Sequence, residues 1–103
     1  MKKPVFTGAG VAIITPFKST GEVNYEEFGR IIDHQIAHHT DAIIVCGTTG
    51  EAATLTQDER LMLLRRAKQD ACGHCPVIMG VGTNCTAGSV ENAELAARNG
   101  ADA

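Results

Sequence analysis

Three short aliphatic runs set the limits on this chain's fold. Val11-Ala12-Ile13-Ile14, Ala42 to Cys46, and Pro76-Val77-Ile78-Met79-Gly80-Val81 start roughly 31 to 35 residues apart, and none carries a charge. Side chains alternate between the two faces of a strand, so a run apolar at odd and even positions alike predicts cover on both faces. That is the pattern of a parallel sheet layered with helices, not of an antiparallel sheet with one wet face.

The intervening segments read as those helices. Asn24 is a helix N-cap with Glu27 three residues on, and Phe28, Ile31, Ile32 and Ile36 recur at helical spacing until the polar run His38-His39-Thr40-Asp41. Thr56 with Glu59 repeats the capping signal, and Leu61, Leu63, Leu64 and Ala67 carry a second helix to about Ala71. Thr86-Ala87-Gly88-Ser89 leads into a third helix through Ala93, Leu95, Ala96 and Ala97, closed by Gly100, and Ala101-Asp102-Ala103 reads as the approach to a fourth strand. The order is β-α-β-α-β-α, with no linker or low-complexity stretch. It fits either a barrel of the (β/α)8 type or a doubly wound sheet.

Composition excludes several function classes. The chain has 103 residues, 44% hydrophobic, with a net charge of −3 and its Lys and Arg scattered singly, which argues against nucleic acid or an anionic membrane as partner. No apolar run approaches the ~18 residues of a membrane span, and Met1-Lys2-Lys3-Pro4 is not followed by an apolar signal core, so a soluble, cytoplasmic protein is expected.

Of the four cysteines, Cys72-Gly73-His74-Cys75 has the residue pattern of a thiol–disulfide exchange site. Such a site needs its first cysteine at a helix N-terminus, where the dipole lowers the thiol pKa. Here the pattern follows a helix, and a plain loop is the better reading. His34 and His38 have the i, i+4 spacing of a zinc pair, but no glutamate general base stands between them, and a solvated helix face is expected.

In both architectures ligands meet the sheet at the C-terminal ends of its strands. Those ends are Thr15-Pro16, Gly47-Thr48-Thr49-Gly50-Glu51 and Gly82-Thr83-Asn84, all bearing hydroxyl or amide groups. The second is the densest. Its glycines let the backbone turn sharply with N–H groups facing an anion, and its hydroxyls can donate to a carboxylate or pass a proton onward. No Lys-Ser/Thr follows the second glycine, so it is not a Walker loop. Spacing alone leaves two readings level: a small-carboxylate or phosphate site, and a tight turn whose threonines cap the next helix.

Gly47-Thr48-Thr49-Gly50-Glu51, followed by Ala53-Thr54-Leu55 and Glu59, resembles the signature of the dihydrodipicolinate synthase (4-hydroxy-tetrahydrodipicolinate synthase) family. Val11 to Phe17 and Pro76 to Asn84 resemble that family's first and third strands, and the likeness runs without a gap from about Phe6 onward. Sibling pyruvate aldolases, of the N-acetylneuraminate lyase or keto-deoxy-sugar-acid aldolase type, share the architecture, but more often have serine as the first hydroxyl residue of the turn. Thr48 therefore favours the synthase.

The resemblance implies an α/β fold: the first three β/α units of a TIM (β/α)8 barrel, truncated before the fourth strand, with residues 1–103 the N-terminal part of a single barrel domain. It implies a class I lyase in lysine (diaminopimelate) biosynthesis, without cofactor or metal. In such an enzyme pyruvate forms a Schiff base with a lysine, becomes an enamine and attacks L-aspartate 4-semialdehyde. By the same resemblance Thr49 binds the pyruvate carboxylate, and Thr48 belongs to a proton relay with two tyrosines, one lent by a neighbouring subunit of a homotetramer (a dimer of dimers).

In lysine-inhibited relatives the effector region follows the carboxylate turn and the third strand. Ala53 and Asn84 match it here, whereas Gln57 and Gly88 stand where a histidine and a glutamate are expected. The Schiff-base lysine belongs to the sixth strand, and Lys2, Lys3, Lys18 and Lys68 all fall outside the three strand runs. Tyr25, at a helix start, replaces neither relay tyrosine. The 103 residues alone are therefore expected to be inactive, and a non-catalytic α/β fragment is the contrasting reading.

Overall fold

The computed structural model describes residues 4–47, 50, 55–83 and 85–103. Three strands, β1 (Gly10–Ala12), β2 (Ala42–Val45) and β3 (Val77–Met79), form one parallel sheet in the order β1-β2-β3. Val11 lies opposite Ile43, and Ile43 opposite Val77, so neighbouring units are joined by the crossovers that helices α1 (Tyr25–Ala37) and α2 (Gln57–Ala71) provide. Helix α3 (Thr86–Arg98) follows β3.

All three strands are shorter than the apolar runs, for identifiable reasons. β1 begins one residue early, at Gly10, and its ladder stops at Ala12, although the Ile13 N–H still donates to Ile44 O at 3.1 Å. β2 ends at Val45 because Cys46 turns to φ 58°, a left-handed backbone that leaves the strand direction. Pro76 has no N–H to give β3, and beyond Met79 only the Gly80 N–H remains tied to β2, at 2.8 Å from Val45 O.

The helix starts are where the caps place them. The Asn24 side chain accepts from the Glu27 N–H. Thr56 and Glu59 form a full reciprocal box, with Glu59 N–H to Thr56 Oγ1 at 3.1 Å and Thr56 N–H to Glu59 Oε1 at 2.8 Å. The buried face of α2 differs from the stripe read in the sequence: it is Arg60, Leu63, Leu64, Ala67 and Ala71, with Leu61 only half-buried. On α1 the fully buried positions are Phe28, Gly29 and Ile32, and Ile31 and Ile36 sit at the margin. Gly29 lets the two helices approach, because a Cβ there would come within 2.6 Å of Arg66 Nη2 and 2.7 Å of Asp70 Oδ2.

Ile13, Ile43, Val45, Val77 and Met79 face these helices and pack with Phe28, Ile32, Leu63, Leu64 and Ala67 into one core. Each large side chain buried there contributes about 1.5–3 kcal/mol. Past β3 the chain turns back onto the sheet: the Asp102 N–H donates to Val77 O, and the Met79 N–H to Ala103 O, both at 2.9 Å. The Asp102 carboxylate accepts from the Val77 N–H at 2.8 Å and pairs with Lys68 at 2.9 Å. Burial works against that carboxylate, but the Val77 N–H and the Lys68 ammonium outweigh it and hold the Asp102 carboxyl below its usual pKa. Residues 101–103 thus continue the sheet beyond β3.

The opposite sheet face departs from the expectation of cover on both sides. Gly10 and Ala12 are exposed, Ile44 and Ile78 are half-buried, and Ile14, one step further along the same alternation, is 54% exposed. In a (β/α)8 barrel this face points inward and is filled by the other strands. Residues 1–103 produced alone are therefore expected to be oligomeric, insoluble or loosely packed, since β1 keeps an unpaired edge beside an uncovered apolar face. Ultracentrifugation with a thermal melt checks this, and a monomer that unfolds cooperatively would refute it. No helix among the described residues is long and apolar enough to cross a membrane.

Candidate functional site

Because the strands are parallel, their C-terminal ends lie on one side, and three loops meet there. The first supplies Thr15, which is 4% exposed although polar. Its hydroxyl donates to the Gly50 carbonyl oxygen at 2.6 Å, a buried bond across 35 residues of sequence. The second loop is closed at its base by the Gly50 N–H, which donates to Gly47 O at 3.0 Å. Gly50 lies within 3.2 Å of both Ile13 O and Thr15 Oγ1, measured from where a Cβ would stand, so β1 presses directly on this turn.

The third loop touches the second through glycine as well. A Cβ on Gly80 would overlap the Cys46 carbonyl and reach the Gly47 nitrogen at 3.1 Å. Opposite, Arg60 in the first turn of α2 donates from Nη2 to Gly80 O at 2.7 Å and is itself 8% exposed. A buried guanidinium beside strand-end carbonyls makes this end of the sheet locally cationic. Burial pushes the Cys46 thiol up to about 11 even though Arg60 pulls the other way, so Cys46 is a neutral packing residue here. Thr83 joins the rim: its N–H donates to Ser89 Oγ at 2.9 Å and its hydroxyl to Cys85 O at 2.6 Å.

The described part of this site is thus a set of strand-end loops locked to one another by the Thr15, Gly50 and Arg60 hydrogen bonds. The residues assigned to the chemistry, Thr48 and Thr49, lie outside the described residues, as do Ala53 and Asn84. Their described neighbours Gly47, Gly50 and Thr83 follow the C-terminal ends of β2 and β3, and Leu55 precedes α2.

The profile of the dihydrodipicolinate synthetase family matches residues 5–103. The chain belongs to that family. It is 52% identical over 99 residues to the 4-hydroxy-tetrahydrodipicolinate synthase of Lachnoclostridium phytofermentans, a match covering 96% of this chain and 34% of that protein. The crystal structure of dihydrodipicolinate synthase from Aquifex aeolicus superposes with a TM-score of 0.87 at 46% identity, covering 93% of this chain and 32% of that one. The enzyme from Cyanidioschyzon merolae, with lysine bound, gives 0.90 at 42% identity over 96% and 34%. The chain thus spans about a third of the length of its relatives, and its three-stranded parallel sheet with helices supplies three β/α units of the family's (β/α)8 barrel.

Family membership also sorts the remaining singled-out residues. Cys72 is the C-cap of α2 at φ 48°, at the negative end of the helix dipole, and Cys75 is buried with its thiol pKa raised by burial and by Asp102. Burial disfavours the Cys75 thiolate, and the segment is a turn, in line with the loop reading. The His38 ring meets His34 O at 2.8 Å through Nδ1, both residues being exposed on the last turn of α1. Lys18 lies in the turn before α1 and Lys68 is paired to Asp102 on α2, whereas Lys2 and Lys3 lie outside the described residues.

Tyr25 opens α1 and packs against the core. Its phenol is raised in pKa by burial first, then by the nearby Glu59 carboxylate. Two contributors are not singled out by the sequence: Arg60 and the specific partner of Thr15. A polar residue in step with the buried stripe of α2 is the signal that could have found Arg60.

Proposed function

We propose that the whole protein condenses pyruvate with L-aspartate 4-semialdehyde to 4-hydroxy-tetrahydrodipicolinate, as a class I lyase of lysine biosynthesis, and that residues 1–103 are the N-terminal part of its single (β/α)8 domain. The observation that carries this reading is the convergence of Thr15, the Gly47–Gly50 turn and Gly80 at one end of a parallel sheet, in a chain of this family. In the proposed reaction Thr49 binds the pyruvate carboxylate through its hydroxyl and backbone N–H. Thr48 passes a proton between tyrosines, one of them from a neighbouring subunit of a homotetramer. A hydroxyl suits that step because it accepts one proton while donating another and holds no charge.

The lysine that forms the Schiff base is assigned to the part of the protein beyond these residues. It would sit on a barrel strand, where a desolvated environment lowers an amine's pKa and makes it nucleophilic. By the family resemblance the effector region is proposed to lie around Ala53 and Asn84, with Gln57 and Gly88 where lysine-inhibited relatives carry a histidine and a glutamate; one solved relative has lysine bound. The cytoplasm is the proposed location. Borohydride reduction of the full-length protein with pyruvate tests the reading: a single stable adduct on one lysine, seen by mass spectrometry, is the expected result. Absence of an adduct in a folded protein would overturn it.

A further inference from the structure

Thr15 is buried, polar and outside the residues assigned above. Its one described hydrogen bond runs from β1 to the turn that follows β2. A chain of 35 residues separates the two ends, so the bond does nothing for local structure in either loop. At 2.6 Å it is at the short end for a hydroxyl–carbonyl pair. Its acceptor, Gly50, also donates to Gly47 O, so the residue closing the turn is fixed by its N–H from one side and by its carbonyl from the other. Gly50 is also closely approached: Ile13 O, Thr15 Oγ1 and the Cys46 Cα all lie within 3.4 Å of where a Cβ would be.

We infer that Thr15 is a positioning residue for the carboxylate-binding turn, an inference that rests on the proposed pyruvate chemistry. Its hydroxyl holds Gly50, the exit of the turn, before substrate arrives, which lowers the ordering cost when the carboxylate binds. Removing the hydroxyl while keeping the shape leaves the buried Gly50 carbonyl without that donor and Gly50 held only by its N–H bond to Gly47 O. The cost should fall on the binding of pyruvate more than on turnover, because Thr15 touches the turn and not the reacting carbon.

The test uses the full-length protein in three forms: wild type, Thr15→Val and Thr15→Ser. Thr15→Val is expected to raise the pyruvate KM about tenfold or more while kcat falls less than about threefold, with the KM for the aldehyde little changed. Thr15→Ser, which restores the donor, is expected to return the pyruvate KM to within about twofold of wild type. A purely packing role predicts the reverse order, since valine preserves the methyl and the volume that serine loses.

Wild-type pyruvate KM in a folded Thr15→Val variant, or an equal rise in the serine variant, would overturn the inference. If the valine variant does not fold, Thr15→Cys replaces it as a weaker donor of serine's shape, and equal KM values for cysteine and serine would overturn the inference. Borohydride trapping of the wild type separates the two levels. An adduct with no effect at Thr15 defeats this inference alone, whereas no adduct in the wild type defeats the proposed chemistry and this inference with it.

Discussion

Thr48→Val in the full-length protein is expected to lower turnover by roughly 10² to 10⁴, the range that a positioned proton-transfer group typically contributes. Valine keeps the shape of threonine and removes only the group able to accept one proton and release another. Pyruvate binding should change far less, because the proposed carboxylate contact belongs to Thr49 and the contacts that hold the ends of the turn remain: the Gly50 N–H tie to Gly47 and the Thr15 hydroxyl on Gly50 O. Thr49→Val is expected to show the complementary pattern, raising the pyruvate KM with a smaller effect on kcat, since its hydroxyl is assigned to the carboxylate. Steady-state kinetics on the two variants decides the matter. Wild-type turnover in Thr48→Val would sink the relay assignment, and interchanged effects would mean that the two roles are reversed.

The roles of Thr48 and Thr49 come from the family resemblance, whereas the frame that carries them was legible because much of the chain's physics is local. The N-caps at Asn24 and Thr56 are satisfied within three residues, so sequence spacing was enough to place two helix starts. The apolar runs found the strands for the same reason, but not their ends. Where β2 stops is decided at Cys46, whose left-handed backbone accommodates the close approach of Gly80 from β3, a contact no local pattern contains. Burial of Arg60 was likewise hidden. The carbonyl that satisfies it belongs to a residue 20 positions away. The same holds for Thr15, which could be placed at a strand end but not given its partner until the sheet order was known. The open face bearing Ile14 shows the limit from the other side: an aliphatic run predicts cover without saying which segment supplies it.

L-Lysine at millimolar concentration is expected to inhibit the full-length enzyme weakly or not at all. The effector region proposed here would have to hold an ammonium, and its surroundings are wrong for one. Gly88 stands where the lysine-inhibited relatives carry a glutamate. It is half-buried in the first turn of α3, and Thr83 Oγ1 lies 3.2 Å from where its Cβ would begin, so the position is filled by the rim of the third loop instead. Gln57, the first residue of α2, offers an amide where the relatives have an imidazole.

One turn further along α2, Arg60 points its guanidinium at Gly80 O, which adds a positive charge on the side from which β3 and α3 contribute. Burying an ammonium without its carboxylate costs on the order of 3 to 5 kcal/mol when a buried pair is broken. Even a partly hydrated site would lose about one to two units of log affinity, at 1.4 kcal/mol for each tenfold. The nearest substitute is Glu91, one helical turn beyond Gly88 and exposed on α3. An exposed carboxylate there is screened by water and does not replace a buried partner for the ammonium. Inhibition assays with and without Gly88→Glu check this. Strong inhibition of the wild type would refute the argument. Inhibition gained only in Gly88→Glu, with wild-type kcat retained, would show that the missing carboxylate is what sets the response, and no gain would assign it to Arg60.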